Sequence, residues 1–453
     1  MTELTTTERT DEQRRELSKR IFRRIVPLLC VVYVISFLDR TNIGFAKDRL
    51  EVDLGISAAA YGLGAGLFFL TYALFEVPSN LLMRKVGAKW WIARIMITWG
   101  LLSSATAFVQ GEISFYVLRL LLGAAEAGLF PGVILYFTYW FTRAERAKAN
   151  GYFLLGASIA NIVGSPLAGV LLSLDGLGGL HGWQWLFIVE GIPAVVLAFV
   201  VLRALPNSPH SASWVTEEEA RDLQARLDAE ADVAQDRKGH NPVMRILRDG
   251  QILLAIAVYF CHQVAIYAVA YFLPSIIGSA QSLSPIQTGL LSMLPWLASG
   301  IGALLLPRLA TTASRARLLI ASALIVMAAG FVLGLVTGPV FGLIGMCISG
   351  FAFWCVNSTI FTFPASRLTG AALAGGLAFV NSCGILGGFV GPYLMGLIEN
   401  ATGNPSSGLW AVAALLLIGA GLTMLLRQGH ERPKAETLGH KTNPALDYNQ
   451  SGG

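Results

Sequence analysis

Seven charged side chains that fall inside long apolar stretches are the residues of this sequence best placed to do chemistry. They are Asp39, Arg40, Glu76, Arg94, Arg119, Glu126 and Glu190. A charge in the middle of a membrane costs about 2.5–3.5 kcal/mol on insertion scales, so each of them needs a partner, a cavity or a function. Residues 250–398 contain no Asp or Glu. Any carboxylate that takes up a proton inside the apolar part should therefore lie in the first half of the chain.

Depth along the predicted helices indicates which of these charges can meet. At about 1.5 Å per residue, Asp39 and Arg119 lie at similar depths, about 10 Å below one surface. Glu126 follows Arg119 by two helical turns and shares its face, near mid-membrane. We therefore expect Asp39, Arg119 and Glu126 to form a ladder that faces a cavity, with Arg119 holding whichever carboxylate is ionised.

Arg40 is expected to point in a different direction from its neighbour Asp39. Adjacent residues on a helix diverge by about 100°, which leaves the Arg40 guanidinium free to hold a carboxylate through two parallel hydrogen bonds. In this interpretation Asp39 and Glu126 bind and release protons and Arg40 binds an anionic substrate. The alternative is a buried ion-pair network that only fixes two helices against each other.

Four neutral or weakly basic residues near mid-depth are further candidates for substrate contact: Tyr72, Asn161, His262 and Asn381. For Tyr72, Asn161 and Asn381, helix–helix packing is an equally good explanation. For His262, a neutral packed histidine is the favoured explanation, although histidine can titrate near neutrality. Glu76 is expected to make a structural contact, while Arg94 and Glu190 lie close enough to helix ends for their charged groups to reach the interface.

The elements that must position these residues are membrane-spanning helices. The 453-residue chain has a mean hydropathy of +0.60 and only 13% charged residues, against about 25% in soluble domains. A spanning helix needs about 20 mostly apolar residues. The sequence predicts an all-α membrane protein of twelve spans, numbered here 1 to 12, which begin near Arg20, Ala58, Trp90, Ile113, Lys148, Trp183, Gln251, Pro285, Arg315, Pro339, Gly370 and Pro405.

A polar segment divides these spans into two groups of six. Residues 205–248 read as a linker that contains an amphipathic helix, because Thr216 and Glu219 have capping-box spacing. Pro166 in span 5 and Pro392 in span 11 lie in similar glycine-containing contexts, 226 residues apart. We predict two pseudo-symmetric six-helix bundles, with the following boundaries: tail 1–19, bundle 20–204, linker 205–248, bundle 249–427 and tail 428–453.

The distribution of Lys and Arg predicts the orientation of the chain. They cluster after spans 2, 4, 8 and 10, whereas the opposite short loops lack them except after span 1. By the positive-inside rule both termini are cytoplasmic, in a multi-pass protein of the cell inner membrane. This rule also explains the net charge of +5 without a nucleic acid partner.

The sequence predicts neither a metal nor a cofactor. Its five cysteines all lie in apolar segments and lack metal-ligand or redox spacing, so we interpret them as packing residues. No phosphate-binding loop or nucleophile arrangement favours an enzyme.

These residues together resemble the major facilitator superfamily and, within it, the anion:cation symporter family, over residues 20–428. The specific motifs are Asp39-Arg40-Thr41-Asn42, Glu76-Val77-Pro78-Ser79-Asn80, and the run RLLLGAAEAGLFPG at residues 119–132. The stretches 182–191 and 381–392 resemble the branch that contains tartrate and phthalate permeases. After span 2 the sequence has no acid where the superfamily's cytoplasmic gate motif usually carries Asp.

The resemblance implies proton-coupled import of a small organic anion by alternating access between two halves. It implies proton sites at Asp39 and Glu126 and substrate contacts from Arg40 and Tyr72. Positions of the family pattern also match Arg119 and Asn381. We expect the partners to be an organic anion such as tartrate or a related dicarboxylate or hydroxy acid, protons and the lipid bilayer, with the protein acting as a monomer. A proton-driven exporter of drugs or metabolites is the alternative.

Overall fold

The computed structural model describes residues 10–235, 248–280, 283–368 and 371–428. Within these ranges the chain forms helices and no strands. Three predicted features lie outside the described residues. They are the C-terminal tail after residue 428, residues 236–247 near the end of the linker, and the start of span 11 at Gly370. The α-helices are α1 Asp11–Leu54, α2 Ala58–Val86, α3 Ala88–Ala105, α4 Glu112–Glu126, α5 Leu129–Thr138, α6 Arg143–Leu172, α7 Gly182–Ala204, α8 Glu217–Gln235, α9 Gly250–Ala280, α10 Pro285–Leu305, α11 Ala313–Val336, α12 Pro339–Ile360, α13 Thr362–Ala365, α14 Ala371–Ile385, α15 Gly387–Thr402 and α16 Gly408–Met424.

These helices supply the twelve predicted spans. Ten segments of the described chain are long and apolar enough to cross a membrane, and α3 and α16 are shorter helices that complete the set. Span 4 consists of α4 and α5, span 10 of α12 and α13, and span 11 of α14 and α15. The other spans are single helices, so that α6 is span 5, α7 is span 6, and α9, α10 and α11 are spans 7, 8 and 9.

Span 1 starts earlier than its hydropathy indicates. Its helix begins at Asp11, where the Thr10 side chain caps it, instead of near Arg20. The extra turns are polar and pack against the linker helix α8, since Arg14 pairs with Asp222 at 3.0 Å and Arg20 with Glu219 at 3.2 Å. The predicted capping box of α8 is confirmed by reciprocal bonds between Thr216 and Glu219 of 3.0 and 3.3 Å.

The two halves of the chain meet through two equivalent pairs of spans, 2 with 11 and 5 with 8. A Cβ on Gly62 would lie 2.3 Å from the Pro392 carbonyl oxygen, and one on Gly289 would lie 2.4 Å from that of Ser165. In both pairs only a hydrogen atom on the glycine leaves room for the neighbouring backbone. The two contacts are related by a shift of 227 positions, so each half uses the same interface.

A second pair of contacts repeats with the same shift. A Cβ on Gly396 would lie 2.2 Å from the Ala58 carbonyl oxygen, and one on Gly169 would lie 2.5 Å from that of Pro285. The predicted internal repeat is therefore real, but its register differs by one residue. Ser165, and not Pro166, is the structural counterpart of Pro392, because the repeat preserves backbone contacts between helices and not the identity of the proline.

We refer to the end of the molecule that carries Ala58 and Pro285 as the A face and to the opposite end as the B face. At the A face, Lys47 Nζ in span 1 lies 2.8 Å from Glu399 Oε1 in span 11. Ser275 Oγ in span 7 donates a 2.6 Å hydrogen bond to Asp48. These contacts join the two halves, and they explain why Lys47, unlike an ordinary loop lysine, is buried.

The close helix packing predicts a contrast between two glycines of span 8. A Cβ on Gly302 would lie 1.8 Å from the Phe351 carbonyl oxygen, whereas one on Gly300 meets nothing closer than 3.6 Å. Gly302→Ala should therefore lower the thermal melting temperature of the purified protein. Gly300→Ala should leave it unchanged or raise it, because alanine is favoured over glycine in a helix by up to about 1 kcal/mol. Equal effects of the two substitutions would contradict this packing.

Candidate functional site

Span 4 is interrupted beside one of the predicted proton-binding residues. Helix α4 ends at Glu126 and α5 begins at Leu129, with Gly128 between them at φ +91. A Cβ on Gly128 would also lie 2.3 Å from Ser79 Oγ, so both its backbone angle and its surroundings require glycine. Non-helical backbone at membrane depth is tolerated where it is buried in protein or lines a cavity. The break therefore indicates that Glu126 lies where the backbone is buried in protein or lines a cavity, and not where it faces lipid.

Glu126 forms a buried ion pair with Arg40 of span 1. A terminal nitrogen of Arg40 bonds Glu126 Oε1, and both side chains are almost fully buried, at 6% and 1% exposure. Ser36, one turn before Arg40, donates a 2.6 Å hydrogen bond to the same oxygen. Glu126 Oε2 has no hydrogen-bond partner among the described residues. The carboxylate therefore holds the guanidinium with one oxygen and leaves the other available.

The Arg40 guanidinium lies against three aromatic rings. Its Cζ atom is 5.0 Å from the ring centre of Phe37, 5.3 Å from that of Phe68 and 5.1 Å from that of Tyr72. We call these three residues the aromatic cage. Each cation–π contact in a dry site is worth up to about 2 kcal/mol. The cage can therefore hold the arginine in position when its carboxylate partner changes.

The expected ladder of Asp39, Arg119 and Glu126 is wrong in its pairing. Glu126 forms its ion pair with Arg40 and not with Arg119. Adjacent side chains on a helix diverge, so Arg40 points towards span 4 and Asp39 points away from it. Arg119 instead donates to the Ala65 carbonyl oxygen at 3.4 Å and lies 4.9 Å from the centre of the Phe68 ring. Arg119 and Arg40 thus both lie against the Phe68 ring, but they are not bonded to the same carboxylate.

Asp39 belongs to a second polar cluster on the other side of span 1. Its Oδ1 accepts hydrogen bonds from Ser103 Oγ in span 3 and from Asn42 Nδ2 at 3.4 Å. Its Oδ2 is buried without a partner in the described part of the chain. Arg119 and Glu126 act on Asp39 electrostatically but are not bonded to it. The two predicted proton-binding acids therefore have different hydrogen-bond partners.

Asn381, a predicted substrate contact, is engaged by Glu76 from the other half. Asn381 Nδ2 donates to Glu76 Oε1 at 3.3 Å, and Ser382 Oγ donates to Glu76 Oε2 at 2.9 Å. The Tyr259 hydroxyl donates to Asn381 Oδ1 at 3.4 Å. Glu76 is therefore a buried acid that links span 2 to span 11, which agrees with the structural contact expected for it.

Two predicted substrate contacts instead have partners within the helices. His262 is completely buried, and its Nε2 donates to the Phe353 carbonyl oxygen of span 10 at 2.9 Å. Asn161 donates to the carbonyl oxygen of Ala157, one turn earlier on its own helix, at 2.8 Å. These bonds favour the packing explanation for both residues. Tyr72, by contrast, lies in the aromatic cage beside Arg40.

The sequence reasoning missed several polar residues that complete the two clusters. Ser36 precedes Arg40 by four positions and Asn42 follows Asp39 by three, so helical spacing alone could have placed each on the same face as its partner. Ser103 and the buried position of Glu190 had no comparable signal, since both come from other helices. Tyr267 of span 7, an electrostatic neighbour of Arg40, was also missed.

Comparison with known proteins gives a consistent result. The model of the Major Facilitator Superfamily matches residues 29–392. A protein of Agrobacterium vitis named as a tartrate transporter is 41% identical over 427 residues, which cover 94% of each chain. A quinolone resistance transporter of Acinetobacter baumannii is 39% identical over 94% of this chain and 98% of its own.

A solved structure has the same fold. It is a bacterial homologue of the human lysosomal transporter Spinster in an inward-facing and occupied conformation, with a TM-score of 0.70. The alignment covers 89% of this chain and 96% of the other at 16% identity. At this level of identity the similarity concerns the fold alone.

The buried ion pair predicts a large coupling energy between its two members. Arg40→Met leaves Glu126 buried without its cation and should destabilise the protein by about 3–5 kcal/mol, as when one partner of a buried pair is removed. Glu126→Gln should destabilise it less, because the cage still holds Arg40. The double variant should recover most of the loss, since neither charge remains.

The measurement is the unfolding midpoint of all four proteins in the same detergent at one neutral pH. Strictly additive losses would contradict a direct Arg40–Glu126 pair, because residues that do not interact show additive effects.

Proposed function

This chain belongs to the Major Facilitator Superfamily, and we propose that it imports a small organic anion together with protons. It is a multi-pass membrane transporter and not an enzyme. The expected substrate is tartrate or a related dicarboxylate or hydroxy acid. The observation that carries the proposal is the buried pair of Arg40 and Glu126 in the aromatic cage. It joins a permanent cation, suited to a carboxylate, to an acid that can be neutralised by a proton.

The pair supplies a direct means of coupling. When Glu126 binds a proton, it loses its charge and its hold on Arg40, whose guanidinium then has no internal carboxylate to balance it. A substrate carboxylate can take that place, so a proton and an anion enter together and the site stays neutral. When the proton leaves, Glu126 reclaims Arg40 and the substrate is displaced. A guanidinium keeps its charge throughout.

Tyr72 and Asn381 are proposed as further substrate contacts. Tyr72 lies against Arg40, and Asn381 lies in the opposite half, where its amide already binds the Glu76 carboxylate. An amide N–H that donates to an internal carboxylate can equally donate to a substrate carboxylate. Arg119 stays a candidate through its place beside Phe68. His262 and Asn161 stay candidates by sequence alone, because both are bonded to backbone carbonyl groups.

Alternating access is proposed to open the A face, which we assign to the outside of the inner membrane from the positive-inside rule. The contacts that must separate there are the Lys47–Glu399 ion pair, the Ser275–Asp48 bond and the glycine interfaces between the halves. With this orientation both termini are cytoplasmic. We retain the predicted division into bundles 20–204 and 249–427 and a monomeric state as parts of the proposal.

Export of an aromatic compound is the second candidate function, because one relative is named as a quinolone resistance transporter. The aromatic cage could stack on a planar ring as well as on a guanidinium. The Arg40–Glu126 pair favours the anion, since a guanidinium matches a carboxylate in shape and charge. The direction of the proton gradient separates the two functions. Symport needs protons to move with the substrate, and export needs them to move against it.

Proteoliposomes should accumulate labelled tartrate, or another dicarboxylate or hydroxy acid, when the inward proton gradient is imposed. Each coupled proton can support about tenfold accumulation per pH unit, because 1.4 kcal/mol corresponds to a factor of ten. Glu126→Gln should abolish this accumulation, since the glutamine cannot release a proton. It should still permit exchange of labelled for unlabelled substrate, because the neutral side chain leaves Arg40 free.

The matched control is Glu112→Gln, which changes an exposed glutamate at the start of the same helix and should transport normally. Accumulation that survives in Glu126→Gln would remove the proposed role of Glu126. Uptake in the unmodified protein that ignores the gradient, for every carboxylate supplied, would remove the symport proposal itself. Quinolone efflux driven by the same gradient would favour the second function.

A further inference from the structure

Glu76 of span 2 is a second acid whose carboxylate is bound by side chains of another span, as that of Glu126 is bound by Arg40. Asn381 Nδ2 donates to its Oε1 at 3.3 Å, and Ser382 Oγ donates to its Oε2 at 2.9 Å. Recognition of both oxygens of one carboxylate gives geometric specificity as well as energy. The contact therefore has the form of a carboxylate-binding site that is filled by an internal carboxylate.

The two donors of span 11, Asn381 and Ser382, are held in place independently of Glu76. We call them the donor pair. The Tyr259 hydroxyl donates to Asn381 Oδ1 at 3.4 Å, which turns the Nδ2 side of the amide towards Glu76. Both donors are partly exposed, whereas Glu76 is 3% exposed. Because residues 250–398 contain no acid, a carboxylate on the donor pair has to come from the other half or from a ligand.

The donor pair lies close to the aromatic cage along span 2. Tyr72 of the cage and Glu76 are four residues apart, so they share one face of the helix and lie about 6 Å apart along its axis. Arg40 Cζ is 5.1 Å from the Tyr72 ring centre. Two internal carboxylates, Glu126 on Arg40 and Glu76 on the donor pair, therefore fill two neighbouring carboxylate-binding points, one in each half.

We propose that the donor pair is a second substrate subsite, which binds one carboxylate of a short dicarboxylic acid while Arg40 binds the other. Glu76 occupies this subsite when no diacid is bound, as Glu126 occupies the first. The inference rests on the proposed function and narrows its substrate class to dicarboxylates. A hydroxy acid with a single carboxylate would displace Glu126 and leave Glu76 in place.

Displacement of Glu76 requires a proton of its own. An ionised Glu76 without its two donors would be a buried carboxylate without a partner, which is energetically costly. One proton from the water on the side of entry binds to Glu76 and forms a carboxyl O–H. After the diacid leaves, the proton is released to the water on the other side, and Glu76 binds the donor pair again. No other covalent bond changes, and each substrate carboxylate is accompanied by one proton.

Few other groups act on the charge of Glu76. The charged group that faces it is Arg40 of span 1, and the titratable groups are Tyr72 of its own helix and Tyr259 of span 7. Spans 3 and 4, which also pack against span 2, contribute no charge to its surroundings within the described residues. The change in charge at this subsite is therefore that of Glu76 itself.

Tartrate and threonate are the probes that test the second subsite. Threonate has the carbon chain of tartrate with a hydroxymethyl group in place of one carboxylate, so it should leave Glu76 on the donor pair. Glu76→Gln keeps the shape of the side chain and makes it a weaker competitor, because hydrogen bonds to a charged acceptor are about twice as strong as neutral ones. At neutral pH this variant should bind tartrate about tenfold more tightly and threonate with unchanged affinity. Isothermal titration calorimetry of the purified proteins measures both affinities.

The pH dependence of the two affinities gives a second readout. Between about pH 6 and 8 the carboxyl groups of both probes are ionised. In the unmodified protein, tartrate affinity should rise with falling pH more steeply than threonate affinity, by up to about tenfold per pH unit for one additional proton. In Glu76→Gln the two slopes should be equal, since glutamine takes up no proton.

Ser382→Ala, made in the Glu76→Gln protein, tests the donor itself. It should weaken tartrate binding about five- to tenfold, because the hydroxyl bonds more strongly to a substrate carboxylate than to the glutamine. Threonate binding should not change. The matched control is Ser322→Ala, since the exposed Ser322 hydroxyl is bonded to the Leu319 carbonyl oxygen of its own helix at 3.1 Å.

Three results would overturn the inference. One is a Glu76→Gln protein in which tartrate and threonate affinities change equally or not at all, which indicates that Glu76 only links two helices. Another is an additional pH slope for tartrate that persists in this variant, and the third is a protein that does not bind tartrate. If uptake proves independent of the proton gradient, the proposed function fails, but the comparison of the two acids still decides whether the second subsite exists.

Discussion

A guanidinium and a carboxylate that are both buried are stable only as a pair. In this protein the pair is Arg40 with Glu126, and it links span 1 to span 4. Each charge alone would cost several kcal/mol to keep away from water, and their attraction offsets this only with good geometry and additional hydrogen bonds. Arg40 and Glu126 meet the condition through Ser36 and the three rings of the cage. The break of span 4 comes directly after Glu126, at Gly128, whose positive φ other residues rarely adopt.

A second constraint is the repeated interface between the halves. Contacts related by a shift of 227 positions join span 2 to 11 and span 5 to 8, and in each the glycine backbone touches a carbonyl group. The absence of a side chain on these glycines lets the backbones of the two helices approach each other closely. Polar contacts at the A face, including the ion pair of Lys47 with Glu399, also join the two halves. In the proposed function, this junction between the halves is the boundary that opens during alternating access.

Span 1 separates two kinds of chemistry by the angle between adjacent residues. Arg40 pairs with Glu126 of span 4 inside the aromatic cage, while Asp39 accepts hydrogen bonds from Ser103 of span 3 and from Asn42. In the function proposed above, the first side binds the anion and the second side supplies a carboxyl group for a proton. Because both sides belong to one rigid helix, a movement that changes the surroundings of one also changes those of the other. In the proposed function, this common helix couples the binding of the proton to the binding of the anion.

The sequence by itself determined the twelve spans, the two halves and the identity of most polar residues of the site. Hydropathy predicted helices that begin at Ala58, Pro285 and Pro339, as observed, because the lipid imposes length and composition on each span. Hydropathy also identified Asp39, Arg40, Arg119 and Glu126 as candidates, because a charged side chain inside the membrane is energetically costly.

Only the tertiary structure decided which charges meet. In the structure Glu126 pairs with Arg40 and not with Arg119. Glu190 is buried in the interior, and Asn381 donates a hydrogen bond to Glu76. Depth along a helix is fixed by a rise of about 1.5 Å per residue, so the sequence can place two groups on one level. The rotation of each helix about its own axis is set by packing with its neighbours. It is this rotation, and not the depth, that selects the partner of a buried charge.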